Sequence, residues 1–417
     1  MRPRQCELLR LPATLSPLRH RAFRDLWIAT LLSNIGLWAQ SVGATWMMME
    51  VGANPALITS VQVAYGLPTL LLSLLAGTLA DLYSRRTIQI IAQLFMIVSA
   101  CSLLIIGMHS NPSPWAILAS SLISGVGAAL RAPAWQASLQ GMVSLEHLPA
   151  AITLSSVGFN IARIIGPAFG GLLTAWFSSA TTGLFHLITA SLFVAVLLNG
   201  DKQLQVVRDD TLFTGFINGL RYCWSSTRIV AILIRSFFIG IGSGATLALL
   251  PVLIQEQFSG GAGQLGGFLS CFGLGAAFAA FLLPVFRRRF ASDDLLTTVT
   301  LMSGIALICL PFMRWIAPVA VVLMVAGAGW ISMLTTLNTV IQMASEPQMR
   351  ARALSAYMTC AFGGLAIGSA VWGEVALEFD AFGSFVIAGC LLTASTLLRI
   401  PFPISQKQGL ASGSKFR

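Results

Sequence analysis

Twelve long apolar stretches run through this chain, and the polar connections between them alternate between basic and nearly uncharged. A bilayer core about 30 Å thick takes roughly 20 apolar residues per helical crossing. Stretches of that kind lie near 24–50, 56–80, 87–108, 114–141, 150–176, 181–200, 228–255, 262–286, 294–313, 315–343, 351–378 and 381–400. Within lipid a backbone N–H or C=O finds no water, so an open chain can cross only as a helix. The expected fold class is therefore an all-α polytopic membrane protein with 12 transmembrane helices.

Orientation follows from the arginines and lysines, because basic loops stay on the cytoplasmic side. With both termini inside, the cytoplasmic segments hold 21 of the 25 basic residues, and the opposite side holds only Arg314. Arg131, Arg163 and Arg235 fall within spans. The net charge of +10 thus reads as a topology device facing anionic lipid, with no call for nucleic acid as a partner. The N-terminus has six arginines, the last at the start of the first span, but no short apolar core followed by a small-residue cleavage site, so that span is expected to be retained. The seven cysteines show no paired spacing; no disulfide, metal site or cofactor is expected.

The chain also aligns with itself. At an offset of 200, Trp115 meets Trp315, Gly127 and Ala128 meet Gly327 and Ala328, and Leu154 and Ser155 meet Leu354 and Ser355. Looser matches join Gly36 to Gly240 and Gly66 to Gly273. This predicts two pseudo-symmetric six-helix bundles, 24–200 and 228–401, with a ligand site between them. Flanking them are an N-terminal segment, 1–23, and a tail, 402–417. The connection 201–227 carries Phe213, Phe216, Ile217, Leu220 and Trp224 at helical spacing, as in an amphipathic helix on the cytoplasmic face.

Between spans two and three the chain reads Gly77-Thr78-Leu79-Ala80-Asp81-Leu82-Tyr83-Ser84-Arg85-Arg86. This resembles the loop motif of the major facilitator superfamily, in which such a cluster acts as a conformational latch across the two halves. The resemblance implies that role for Gly77, Asp81, Arg85 and Arg86. Span five contains Gly166-Pro167-Ala168-Phe169-Gly170-Gly171, similar to the packing motif of the superfamily's antiporters, with Gly166, Pro167, Gly170 and Gly171 matching. The pattern departs from the family's proton-driven drug exporters in span four, where Ser121 stands in place of their arginine. Residues 18–27, Ser33-Asn34-Ile35-Gly36 and 160–167 narrow the resemblance to the branch of enterobactin exporters and macrolide-efflux proteins.

In that architecture spans one, four, seven and ten line the path. The substrate-binding candidates are Asn34, Trp38, Ser124, Arg131, Trp135, Arg163, Arg235 and Thr339. A charge at mid-membrane costs at least about 2.5 kcal/mol on insertion scales, so the three arginines invite a functional reading. With no carboxylate expected opposite them, an aromatic-walled positive cavity would suit an anionic, ring-bearing ligand. Glu50, Glu256 and Glu374 are the proton-coupling candidates by depth.

The four histidines are scattered, and no H-E-x-x-H, G-K-[ST] or G-x-S-x-G signature is present, which argues against an enzyme. The expectation is a secondary active exporter in the bacterial inner membrane, a monomer, coupled to protons and carrying a siderophore of the enterobactin type. The alternatives are a multidrug or macrolide exporter and a transporter-like receptor without flux.

Overall fold

The computed structural model describes residues 13–144, 146–199, 221–258, 260–346 and 349–404, with the backbone alone at 13, 14, 73–78, 80–82, 140 and 351. Among them every regular element is helical. A 3-10 turn, Ala13–Arg19, leads into α1 (Arg21–Glu50). There follow α2 (Pro55–Leu82), α3 (Arg85–Ile106), α4 (Pro114–Met142), α5 (Leu148–Trp176) and α6 (Ala180–Asn199). After the connection come α7 (Thr227–Leu253), α8 (Ala262–Arg287), α9 (Ser292–Cys309) and α10 (Ile316–Ala344). The last helical stretch, Arg350–Ala394, breaks at Asp380, whose φ of 57° no right-handed helix accommodates. Its limbs are α11 (350–379) and α12 (381–394).

Ten of the described helical stretches are long and apolar enough to cross a bilayer. The broken one counts once, although its 48 residues from Arg352 to Arg399 exceed the length of a single crossing. Helix α1, with Asn34 and Gln40 at its centre, is not among the ten. Local signals set several starts. Asn54 precedes Pro55 and its Oδ1 accepts from Leu57 N at 2.9 Å, while the hydroxyls of Ser84 and Ser226 cap α3 and α7.

The packing repeats itself. Helix α1 lies against α5 and α6, as α7 lies against α11 and α12. Likewise α2 and α3 flank α4 as α8 and α9 flank α10, and α3 meets α6 as α9 meets α12. The crossing contacts, α2 on α11 and α5 on α8, exchange under the same correspondence. Glycines make these seams, because without a Cβ two backbones can approach. A methyl group at Gly171 would lie 2.6 Å from the Ala262 carbonyl oxygen and 2.9 Å from Gly266 Cα.

These neighbours also correct the register of the repeat. Gly125 faces α2 and Gly127 faces α3, whereas Gly327 faces α8 and Gly329 faces α9. Equivalent positions in α4 and α10 therefore differ by 202, not 200; the matching Gly-Ala pair aligned residues that touch non-equivalent helices. In the same way Gly36, against α6, corresponds to Gly242, against α12, rather than to Gly240, which faces α11. Gly66 on α11 and Gly273 on α5 are equivalent as expected.

One hydrophobic cluster joins Met47, Met48 and Ile58 near the α1–α2 turn to Leu249, Leu250 and Leu253 at the end of α7 and onward through α8 to α12. A separate cluster, with Phe23, Leu139, Leu154 and Phe193, sits at the arginine-rich end of α1, α4, α5 and α6. The first six helices and the rest thus share a core at the end away from the arginine loops. Of the 201–227 connection, Phe213, Phe216, Ile217 and Leu220 lie outside the described residues. Its last turn, 221–225, buries Cys223, and the Tyr222 hydroxyl accepts from Glu346 N at 2.9 Å.

The adjacent glycines of α8 offer a test of the seam. Gly266 abuts Pro167 O and Gly171, and Gly267 has nothing within 4 Å of an added methyl. Gly266→Ala should lower stability by about 1–3 kcal/mol through overpacking. Gly267→Ala should be neutral or stabilising by about 0.5–1 kcal/mol. Thermal unfolding of the two purified variants, compared with wild type, measures the difference.

Candidate functional site

Where α1, α2, α5, α7 and α8 converge, a narrow cavity is lined by Trp38, Ser41, Val42, Gln62, Arg163, Pro167, Leu247, Leu269 and Phe272. Arg163 is the sixteenth of the 29 residues of α5, so it stands at mid-helix. It is 7% exposed, and its guanidinium carbon lies 5.2 Å from the centre of the Phe272 ring, a cation–π distance. Among the described residues no carboxylate and no hydrogen-bond acceptor pairs with it.

The backbone around Arg163 is fixed on both sides. Gly166 and Gly170 lie against α1, where added methyls would meet Trp38 Cβ at 2.5 Å and Ala39 Cα at 2.6 Å. On the other side Gly171 meets α8, Gly273 sits over the Arg163 carbonyl, and the Ser270 hydroxyl donates to Ile164 O at 2.7 Å. Pro167 stays within a continuous helix and presents its ring to the cavity. The Gly-Pro segment therefore holds one cation between two helices, with its head towards open space.

The other two arginines are answered by protein. Arg131 of α4 donates to Asn34 Oδ1 and, at 3.4 Å, to Ser33 Oγ, which also receives Gln93 Nε2 at 3.0 Å. Arg235 of α7 meets Asp293 Oδ1 at 2.5 Å, with both side chains 3% exposed. The expectation of three uncompensated cations is thus corrected for Arg235. Asp293 stands at the second residue of α9, whose first turn meets α7, so that an acid read as loop reaches a span. Its Oδ2 also accepts from Ile404 N at 3.1 Å, while Arg228 donates to Ile404 O at 2.8 Å. The segment after α12 is pinned there.

The remaining candidates scatter. Trp38 lines the cavity. Ser124 is fully buried and its hydroxyl has no partner among the described residues. Trp135 belongs to the apolar cluster at the arginine-rich end. Thr339 accepts from Arg287 at 2.8 Å and donates to Thr335 O at 2.8 Å. Arg85 donates to Ala137 O at 2.6 Å and Arg86 to Leu198 O at 2.9 Å, each at the C-terminal turns of a neighbouring helix, where cations are favoured. Gly77 and Asp81 stand in the last two turns of α2, described by their backbone alone. Glu50 is exposed and accepts from Ser179 at 2.8 Å, and Glu256, also exposed, accepts from Ala381 N at the start of α12. Glu374 is exposed on α11. Gln62, Phe272 and Asp293 were not anticipated. Lone amides in apolar spans and the Ser-Asp-Asp start of α9 were the available signals.

The chain is similar to several known proteins. Residues 12–416 match the family model described as transmembrane secretion effector. The staphyloferrin A transporter of Staphylococcus aureus is 26% identical over 68% of this chain and 72% of its own. The multidrug efflux pump Tap of Mycobacterium tuberculosis is 23% identical, covering 92% and 94%. The enterobactin exporter EntS of Salmonella typhi is 25% identical, covering 91% of each. Among solved structures, the nucleoside transporter NupG superposes with a TM-score of 0.71 at 15% identity, covering 91% of this chain and 98% of the other. That likeness concerns the fold.

The buried pair generates a prediction. Asp293→Asn leaves Arg235 without its counter-charge and should cost about 3–5 kcal/mol, whereas Arg235→Met with Asp293→Leu removes both charges and should recover most of it. Unfolding midpoints of the single and double variants measure this.

Proposed function

We propose that this chain, which belongs to the transmembrane secretion effector family of the major facilitator superfamily, exports an anionic small molecule by alternating access. On this reading 24–200 and 228–401 are two six-helix bundles, twelve crossings in all, joined by 201–227. Both termini face the cytoplasm of a bacterium, and the bundles rock about the α2–α11 and α5–α8 seams. Among the described residues the core that the two halves share lies at the end away from the arginine loops, which supports a state open towards the cytoplasm. Cargo enters there.

The observation that carries the reading is Arg163: a buried cation facing a cavity, backed by an aromatic ring and unpaired among the described residues. Such a group gains most by meeting an anion that the aqueous phase delivers. Phe272 and Trp38 supply flat apolar walls, and Gln62 and Ser41 supply hydrogen bonds to a polar rim. The cargo this favours is an acidic, ring-bearing chelator of the siderophore class, in keeping with the enterobactin and staphyloferrin A relatives. Expelling an anion from a negative interior is aided by about 2.3 kcal/mol per charge per 100 mV, and inward proton movement supplies the rest of the drive. Drug efflux is the second reading, favoured by the Tap relatives that match over 92% of the chain.

Inside-out vesicles with an acid lumen, given iron-free enterobactin or a cationic dye, separate the two. Accumulation of the siderophore supports anion export; accumulation of the dye alone establishes drug efflux and overturns it. Arg163→Gln should raise the KM for enterobactin about tenfold or more, with Arg163→Lys intermediate. An unchanged KM in Arg163→Gln removes Arg163 from the cargo site.

A further inference from the structure

A second polar centre lies inside the first six helices, away from the Arg163 cavity. His186 of α6 is fully buried, and its Nδ1 faces Gln40 Oε1 of α1 at 2.5 Å. The other end of the Gln40 amide donates from Nε2 to Ser99 Oγ of α3 at 2.8 Å, and Ser99 Oγ passes its own hydrogen to Ser120 O of α4 at 2.7 Å. This chain fixes the tautomer. Ser99 spends its one hydrogen on Ser120 and needs a donor from Gln40, which turns the amide oxygen to His186. Nδ1 of His186 therefore carries the hydrogen, and Nε2 presents a lone pair. That Nε2 atom is buried without a hydrogen-bond partner among the described residues. An added methyl at Gly36 would lie 2.9 Å from the adjoining ring carbon, so α1 and α6 press the imidazole closely.

We propose that His186 is the proton-carrying group of this transporter, with Nε2 the accepting atom and Gln40 the positioning residue; this rests on the proton-coupled export reading above. The step is simple in its balance. Nε2 takes a proton from water reaching it from one side of the membrane and returns it to water from the other, with no other bond made or broken. Gln40 Oε1 accepts from Nδ1 in both protonation states, so the imidazolium keeps a partner.

The surroundings tie that charge to cargo. The ionisable groups on the helices around His186 are Arg131 on α4, Tyr65 on α2, Cys101 on α3 and, towards α8, Arg163 on α5. Arg21, Arg24, Asp25 and Glu50 of α1, Asp81 of α2, and Arg85 and Arg86 of α3, stand at the helix ends. Arg131 already holds Ser33 and Asn34 on the same stretch of α1 that offers Gln40 to His186. A proton on His186 sets a second cation against that stretch, with no described carboxylate at mid-helix in α1 to α6 to offset it. The helix placed under strain is the one that carries Trp38 and Ser41 into the cavity.

The test uses the full chain in proteoliposomes, with iron-free enterobactin as probe. His186→Gln should lower accumulation driven by an acid lumen about tenfold or more, while exchange of labelled for unlabelled enterobactin without a gradient persists. Accumulation within about twofold of wild type overturns the proposal. If wild type exchanges no enterobactin, the cargo reading fails for this probe. The proton site is then decided, as it is if the variant does not fold, by nitrogen NMR of histidine-labelled wild type. The expected signature is an Nδ1–H imidazole at about pH 8 whose Nε2 becomes protonated on acidification. An Nε2–H tautomer, or an Nε2 that stays bare throughout, overturns it.

Discussion

Everything here turns on the cost of holding a charge where water cannot reach it. Among the described residues three arginines lie buried, and each is answered differently. Arg235 has a carboxylate, at the price of locking α7, α9 and the segment around Ile404 into one arrangement. Arg131 has neutral oxygens from α1 and, through Ser33, a link to α3. Arg163 has one face of a phenyl ring and an open cavity. The least satisfied, Arg163, is the one on which the proposed anion site rests.

Much of this was legible in the chain. Hydrophobic length located the helices to within a few residues, because the bilayer demands that length whatever the sequence does in detail. Gly166 and Gly170 lie against α1 and Gly171 against α8, so the Gly-Pro segment marks two interfaces. What periodicity could not reach was which side chains meet. Asp293 and Arg235 are 58 positions apart and pair only because the first turn of α9 comes to rest against α7. His186 looked like a scattered histidine. Its significance comes from Gln40, on a helix 146 positions away along the chain. The repeat was visible as letters, but its register needed the neighbours, since Gly127 and Gly327 share a letter and face non-equivalent helices.

The two crossing seams, finally, bring main chain to main chain at several points. Gly171 meets Ala262 and Gly266, Gly273 meets the carbonyl of Arg163, and across the other seam Gly373 approaches Ala56. Surfaces without side chains have no rotamers to reset and no interlocking ridges to lift over one another. They behave as plain bearings, so sliding along them meets little internal friction. On the alternating-access cycle proposed above, resistance to motion would then be concentrated in the apolar cluster around Met48 and Leu249, which would have to part before the far side opened. The chain separates the hinge, built from the smallest residue available, from the gate, built from some of the largest aliphatic ones.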